Sequence, residues 1–246
     1  MTDDNNKNAK LAIRALNSLY EVVMDIYENK DETDPRNDYN LIINSVHEQA
    51  IAYKIAHKLE NFLQNKNNSP HNNISNDKLS LDVEYSKTFN VNKNKSIVKT
   101  CDQNSDSNSC ENCILKNDIC DGEKYFRPDI ILHQRGNNSE NILIIECKKA
   151  QTIKGKKVIY DFKKLKAFTC ENGNFKYKIG VSIVFNNKHP ILTYFFKEPQ
   201  LTELITLLKK QNSEEYEINI YDYKKDKAIF ITEYIKNMKK NKNNEE

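Results

Sequence analysis

Three charged residues share one face of a predicted hairpin in the middle of the chain. Asp129 lies in a strand predicted over 125–134, and Glu146 and Lys148 end a strongly apolar strand predicted over 141–149. Because side chains alternate along a strand, Glu146 and Lys148 project to the same side, and antiparallel pairing brings Asp129 opposite them. We therefore expect two carboxylates and one ammonium group at one edge of a sheet.

These residue types indicate metal-assisted hydrolysis. Two carboxylates a few ångström apart raise each other's pKa unless a cation lies between them. Mg²⁺ suits such a pair because it takes carboxylate oxygens, retains water and leaves positions for phosphate. A neighbouring lysine can orient or deprotonate a water on the ion, which would equip the site to cleave a phosphodiester bond. The alternative is a solvated ion pair between Glu146 and Lys148, with Asp129 in a turn.

A further carboxylate, Glu48, falls in register with an apolar helix stripe. The helix is predicted over 40–63, and its stripe has the alternating spacing of four and three residues that is typical of a buried helix face. The stripe consists of Ala52, Ile55, Leu59 and Phe62. A carboxylate on that face is costly unless a partner compensates it. On the helix pattern alone, the favoured interpretation is a partly solvated residue near the helix start, where the helix dipole suits an acid.

The order of elements predicts an α/β fold with a mixed sheet, partly antiparallel through the hairpin. Strands are predicted over 79–89, 125–134, 141–149, 175–186, 191–197 and 216–223, and helices over 9–29, 40–63, 157–170, 199–210 and 226–240. The hairpin turn is predicted at 135–141, where Gly136-Asn137 supplies turn residues.

Composition excludes several classes of protein. The 246 residues carry a formal net charge of +3, so nucleic-acid binding would have to depend on a local patch. No run approaches the roughly 18 apolar residues of a membrane-spanning helix. Met1–Lys10 lacks an apolar signal region, which favours a cytoplasmic protein with no membrane partner. Only 5 glycines argue against a glycine-rich phosphate loop.

The hairpin residues resemble a known superfamily. Arg127–His133 followed by Ile144–Lys149 is similar to the PD-(D/E)xK nucleases, and in particular to a bacterial group of small members. His47-Glu48-Gln49 matches the place of a helical glutamate in such proteins. Two further segments are similar to their first strand and to the helix after the motif, namely Val83–Lys87 and Asp161–Leu165. The resemblance covers about 41–187.

This resemblance implies a restriction-endonuclease-like core and a Mg²⁺- or Mn²⁺-dependent endonuclease that leaves a 5′-phosphate. Glu48, Asp129 and Glu146 would hold the metal, and Lys148 would position the attacking water. DNA is the implied partner, with RNA as the alternative, and a homodimer would suit cleavage of two strands.

Lysines near the motif are candidates for contact with the phosphate backbone. The candidates are Lys87, Lys149, Lys163 and Lys164. The alternative for the run between 154 and 166 is a solvated helix face. For Lys149, which alternates away from Lys148, the alternative is an exposed residue that aids solubility.

A cysteine cluster lies between the first strand and the hairpin. Cys101, Cys110, Cys113 and Cys120 form C-x8-C-x2-C-x6-C, and four thiolates can close a tetrahedron around a structural Zn²⁺. An iron–sulfur cluster and a disordered loop with free thiols are the alternatives. Disulfides are not expected in a cytosolic chain.

The predicted organisation is a helical preface over 1–40, a nuclease core over 41–197 and a C-terminal extension over 198–246. The Cys-rich insertion occupies about 90–122 of the core. Two other functions stay open: an inactive nuclease-fold module that binds nucleic acid or protein through the zinc-stabilised insertion, and a metal-binding regulatory protein.

Overall fold

Up to residue 196, the described helices and strands follow the predicted order, apart from a break in the second predicted helix. The computed structural model describes residues 3–44, 47–67, 79–83, 128–134, 141–150, 156–169, 175–196, 208, 217–223 and 227–230. The helices are α1 (Asp3–Glu28), α2 (Asn40–Ile43), α3 (Glu48–Asn67) and α4 (Lys156–Phe168). The strands are β1 (Leu79–Val83), β2 (Ile130–Gln134), β3 (Asn141–Lys149), β4 (Ile179–Phe185), β5 (Ile191–Phe195), β6 (Glu217–Asp222) and β7 (Lys227–Phe230). None of the described helices combines the length and the apolar character needed to cross a membrane.

The seven strands form one mixed sheet in which spatial order follows chain order. The pairs β1–β2, β2–β3, β4–β5 and β6–β7 are antiparallel, whereas β3–β4 and β5–β6 are parallel. Helix α4 connects β3 to β4, as expected because a parallel pair needs a long crossover. This confirms the α/β arrangement with a mixed sheet.

Both faces of the sheet are covered. One apolar cluster joins helices α1 and α3 to the sheet through side chains such as Ile145 and Val181. A second cluster, which includes Ile144, Leu165 and Phe195, seats α4 on the opposite face. The central strand β3 is buried over nearly its whole length, which explains why its sequence is apolar on both alternating faces. The site residues of β3 are therefore held by a strand that has little freedom to move.

The N-terminal helix packs in the same core, and the C-terminal strands belong to the same sheet. Helix α1 packs in the apolar cluster of α3, and the apolar residues that recur along it are buried, namely Ala12, Leu16, Leu19, Val23 and Ile26. Strands β6 and β7 continue the sheet beyond β5. The stretch 40–63, predicted as one helix, contains two helices, because α2 ends at Ile43 and the backbone of Asn44 is extended.

The helix predicted over 226–240 is wrong where the structure describes it. Residues 227–230 form β7 and pair with β6 in the register Asp222↔Lys227 to Asn219↔Phe230. Ile229 is buried while Lys227 and Phe230 are exposed. The free edge of β6 offers backbone partners that no local pattern shows, and such pairing overrides local propensity.

Gly180 lets α4 approach the sheet closely. A Cβ atom at this position of β4 would lie 3.1 Å from Thr169 Cγ2 and 3.2 Å from Phe195 Cβ. We expect Gly180→Ala to lower the free energy of unfolding by about 1–3 kcal/mol, since overpacking forces the helix or the neighbouring ring to shift. Urea denaturation measures the change, and Gly180→Val is expected to cost more. An unchanged midpoint in both variants would show that the helix adjusts without cost.

Candidate active site

The hairpin brings Asp129 and Glu146 together. Ile130 pairs with Ile145 and Ile131 with Ile144, so the next position in register sets Asp129 against Glu146. Asp129 immediately precedes β2, and its Oδ2 accepts a hydrogen bond from the backbone N–H of Cys147 at 2.7 Å. This bond fixes the carboxylate of Asp129 beside the end of β3, where the sequence predicts it.

Lys148 and Glu48 meet at the same end of β3. Lys148 Nζ lies 3.4 Å from Glu48 Oε2 and donates to the carbonyl oxygen of Cys147 at 3.2 Å. Glu48 is the first residue of α3, and its Oε1 accepts the backbone N–H of Lys149 at 3.2 Å. Glu48 therefore lies at the helix start, where the dipole suits an acid, and it also reaches the predicted lysine.

Helix α4 adds two charged side chains to this face. Lys164 Nζ lies 2.8 Å from Glu146 Oε2 and 3.1 Å from Asp161 Oδ1. Asp161 Oδ2 in turn lies 3.5 Å from Lys148 Nζ. Glu146 and Asp161 are 1% and 3% exposed, so these charges lie in the protein interior and not on a solvated surface.

Burial and mutual repulsion shift the pKa values of the carboxyl groups. Burial raises the pKa of Glu146 to about 8; Lys164 opposes this rise, and Asp129 and Asp161 add to it. Burial also raises the pKa of Asp129, although the bond from Cys147 and the nearby lysines reduce the effect. These are the shifts expected of two facing carboxylates in low dielectric that lack a sufficient counter-charge.

Lys148 shows the complementary shift. Burial lowers its pKa, but the surrounding carboxylates raise it by more, with Asp161 first among them, so that the net pKa is raised. The ammonium form is thus strongly favoured in this environment. At neutral pH Lys148 can donate hydrogen bonds and supply positive charge, but it is a poor acceptor of protons.

The site contains more negative than positive charge. Four carboxylates stand against two ammonium groups, which leaves two negative charges when all are ionised; the acids are Glu48, Asp129, Glu146 and Asp161, and the lysines are Lys148 and Lys164. Both carboxylate oxygens of Glu146 are buried and lack a well-directed hydrogen bond, despite the proximity of Lys164. A divalent cation would compensate both deficits.

The donor set fits Mg²⁺ through two carboxylates. Within the part of the chain that the structure describes, no group of three or more His, Cys, Asp or Glu side chains is arranged to hold a metal. Mg²⁺ commonly uses one or two protein carboxylates together with water and phosphate oxygens. Asp129 and Glu146 would supply that pair, whereas Glu48 faces the ammonium group of Lys148.

The remaining predicted residues lie in different places. Lys149 is buried on the opposite face, where its Nζ donates to the carbonyl oxygens of Leu41, at 3.2 Å, and of Asn44. Lys163 lies on α4, partly buried. Lys164, predicted to contact nucleic acid, is buried against the site acids. Lys87 and the four cysteines of the cluster, Cys101, Cys110, Cys113 and Cys120, lie outside the described residues.

Sequence reasoning did not assign Asp161 to the site. A signal for it exists in the periodicity of α4, because Asp161 and Lys164 are in register with the buried Leu165 and Phe168. Charged residues on an apolar helix stripe need partners, which is the same reasoning that singles out Glu48 on α3. The same reasoning applied to α4 indicates that Asp161 and Lys164 are buried with partners.

No family model, curated protein or solved structure matches this chain. The geometry and charge of the described residues therefore carry the functional argument.

Proposed function

We propose that this chain is a Mg²⁺-dependent phosphodiesterase with a restriction-endonuclease-like core, and that it hydrolyses DNA. The observation that supports this most strongly is the set of Asp129, Glu146 and Lys148 on one face at the end of a buried strand. Burial raises the pKa of both acids, and the surrounding carboxylates keep Lys148 in its ammonium form. Buried charge of this kind destabilises a fold and is more readily explained by chemistry than by stability.

Each side chain has a distinct part in the proposed reaction. Asp129 and Glu146 would hold the ion, and Glu48 would pair with the ammonium group of Lys148. Bound Mg²⁺ would neutralise negative charge on the phosphate and make a water molecule more acidic. Lys148 would orient the attacking water and stabilise the charge that develops on the phosphate oxygens. The raised pKa of Lys148 favours this role over that of a general base.

The function is tested by cleavage of plasmid DNA, single-stranded DNA and RNA by the purified chain. We expect cleavage of DNA with Mg²⁺ and none with EDTA. Asp129→Asn, which keeps the size of the side chain and removes its charge, should abolish cleavage. Asp38→Asn is the matched control, since Asp38 is a partly buried aspartate that pairs with Lys54 and Lys58 in the loop before α2. A folded wild-type chain that cleaves none of the three substrates would refute the proposal.

A further inference from the structure

Five charged side chains of the site alternate in sign along a continuous path. The path runs through Glu48, Lys148, Asp161, Lys164 and Glu146, and successive charged atoms are 2.8–3.5 Å apart. Its two ends are acids, and its middle member is the carboxylate of Asp161. Since Asp161 comes from α4 and Lys148 from β3, the middle link joins the helix to the strand that carries the motif.

Asp161 is a buried carboxylate that lies between two lysines. It is 3% exposed, and its Oδ2 is fully buried and lacks a well-directed hydrogen bond within the described residues. Its recorded ionic partners are the two ammonium groups, with Lys164 on Oδ1 and Lys148 on Oδ2. A neutral side chain of similar size would avoid the desolvation cost, so the charge itself requires an explanation.

We propose that Asp161 is a positioning residue that holds the ammonium groups of Lys148 and Lys164 in place over the site. This inference rests on the proposed function and adds a residue to it. Each oxygen of Asp161 faces a different lysine, and the two lysines in turn face Glu48 and Glu146. Without the middle carboxylate, the two ammonium groups would repel each other, and Glu48 would be the one acid of the path that still faces Lys148.

Kinetics test the inference in the full-length chain with Mg²⁺ and a defined DNA substrate. We expect Asp161→Asn to lower kcat by about 10–100-fold, because misplacing a catalytic group by about 1 Å costs this much. KM should stay within about twofold, since Lys148 acts on the reacting phosphate and not on the bulk of the DNA. Asp161→Glu, which restores the charge, should recover more of kcat than Asp161→Asn retains. The control Asp38→Asn should leave both constants unchanged.

Lysine labelling gives a second readout that needs neither metal nor catalysis. The apo chain is acylated briefly, and modification of each lysine is quantified by mass spectrometry. In Asp161→Asn we expect Lys148 and Lys164 to react several-fold faster, while Lys58 is unaffected. In Asp38→Asn we expect the reverse, since Lys58 lies 2.9 Å from Asp38.

The two readouts separate failure of the inference from failure of the proposed function. If the wild type is inactive but the labelling pattern is as expected, Asp161 still holds the lysines and only the proposed function fails. If the wild type is active but Asp161→Asn matches Asp38→Asn in kcat, the positioning role is refuted. Unchanged labelling of Lys148 and Lys164 in Asp161→Asn would also refute it.

Discussion

Lys148→Met is expected to lower kcat by about 10²- to 10⁴-fold while the chain stays folded, since this is the usual effect of removing a positioned catalytic group. Methionine keeps the apolar length of the side chain but removes the ammonium group. That group lies 3.4 Å from Glu48 and 3.5 Å from Asp161, and the side chain is 17% exposed, which leaves it within reach of a substrate. No other lysine of the described site combines partial exposure with a place on the same strand as Glu146.

The measurement is kcat and KM on one DNA substrate for the wild type, Lys148→Met and Lys58→Met. Lys58 is a suitable control because it is also partly buried and pairs with two acids, Asp25 and Asp38. These pairs join α3 to α1 and to the loop before α2, and not to the site. Lys58→Met should retain activity and lose some stability. If Lys148→Met kept more than about a tenth of the wild-type kcat, Lys148 would not be a positioned catalytic group.

Retention of DNA binding distinguishes this loss from a defect in affinity. Lys148 is one ammonium group among several lysines near the motif, and each phosphate contact contributes only a part of the salt-dependent binding energy. We therefore expect most of the effect of Lys148→Met to appear in kcat. A change confined to KM would instead assign Lys148 to substrate binding.

The sequence predicts the part of the site that lies on the hairpin. Alternation along β2 and β3 places Asp129, Glu146 and Lys148 on one face, and the antiparallel register is largely fixed by the apolar pattern. Glu48 is found because it interrupts the stripe of α3. Both inferences depend on the spacing of residues that are close in the chain, which the sequence shows directly.

Contacts between distant elements were harder to predict. Lys149 carries the same charge as Lys148, but in the fold its ammonium group donates to the carbonyl oxygens of Leu41 and Asn44, which lie far earlier in the sequence. Asp161 reaches the site because α4 packs against β3 and β4. The strand β7 forms because β6 has an unpaired edge. In each case the partner belongs to another helix or strand, and the local sequence pattern does not identify it.

Glu146→Gln is expected to stabilise the metal-free chain at neutral and alkaline pH. Burial raises the pKa of Glu146 from an ordinary value of 4.5 to about 8. Between these values the folded chain keeps a proton that the unfolded chain releases, so stability is highest below 4.5 and falls as the pH rises toward 8. The difference between these two pKa values corresponds to a loss of at most about 5 kcal/mol in the free energy of unfolding. Glutamine carries no charge at any pH and should escape this loss.

Urea denaturation in EDTA at several pH values between 4.5 and 9 measures the difference. The wild type and Glu146→Gln should have similar stability at the acid end and diverge by several kcal/mol at pH 9, in favour of the variant. Glu60→Gln is the control, because Glu60 is exposed on α3 and its replacement should leave the pH profile of the wild type intact. Parallel profiles for the wild type and Glu146→Gln would mean that the carboxyl group of Glu146 is ionised in the fold without cost.

Mg²⁺ distinguishes a metal ligand from a carboxyl group that is merely buried. A ligand that binds only the folded chain stabilises it in proportion to the logarithm of its concentration above Kd. If Asp129 and Glu146 hold the ion, Mg²⁺ should stabilise the wild type most at pH 8–9, where the proton no longer competes for Glu146. Glu146→Gln should lose most of this gain, even though it is the more stable chain without metal. Equal stabilisation of the two chains by Mg²⁺ would mean that the ion binds elsewhere. The destabilising buried charge of the site would then have to be explained by a ligand other than Mg²⁺.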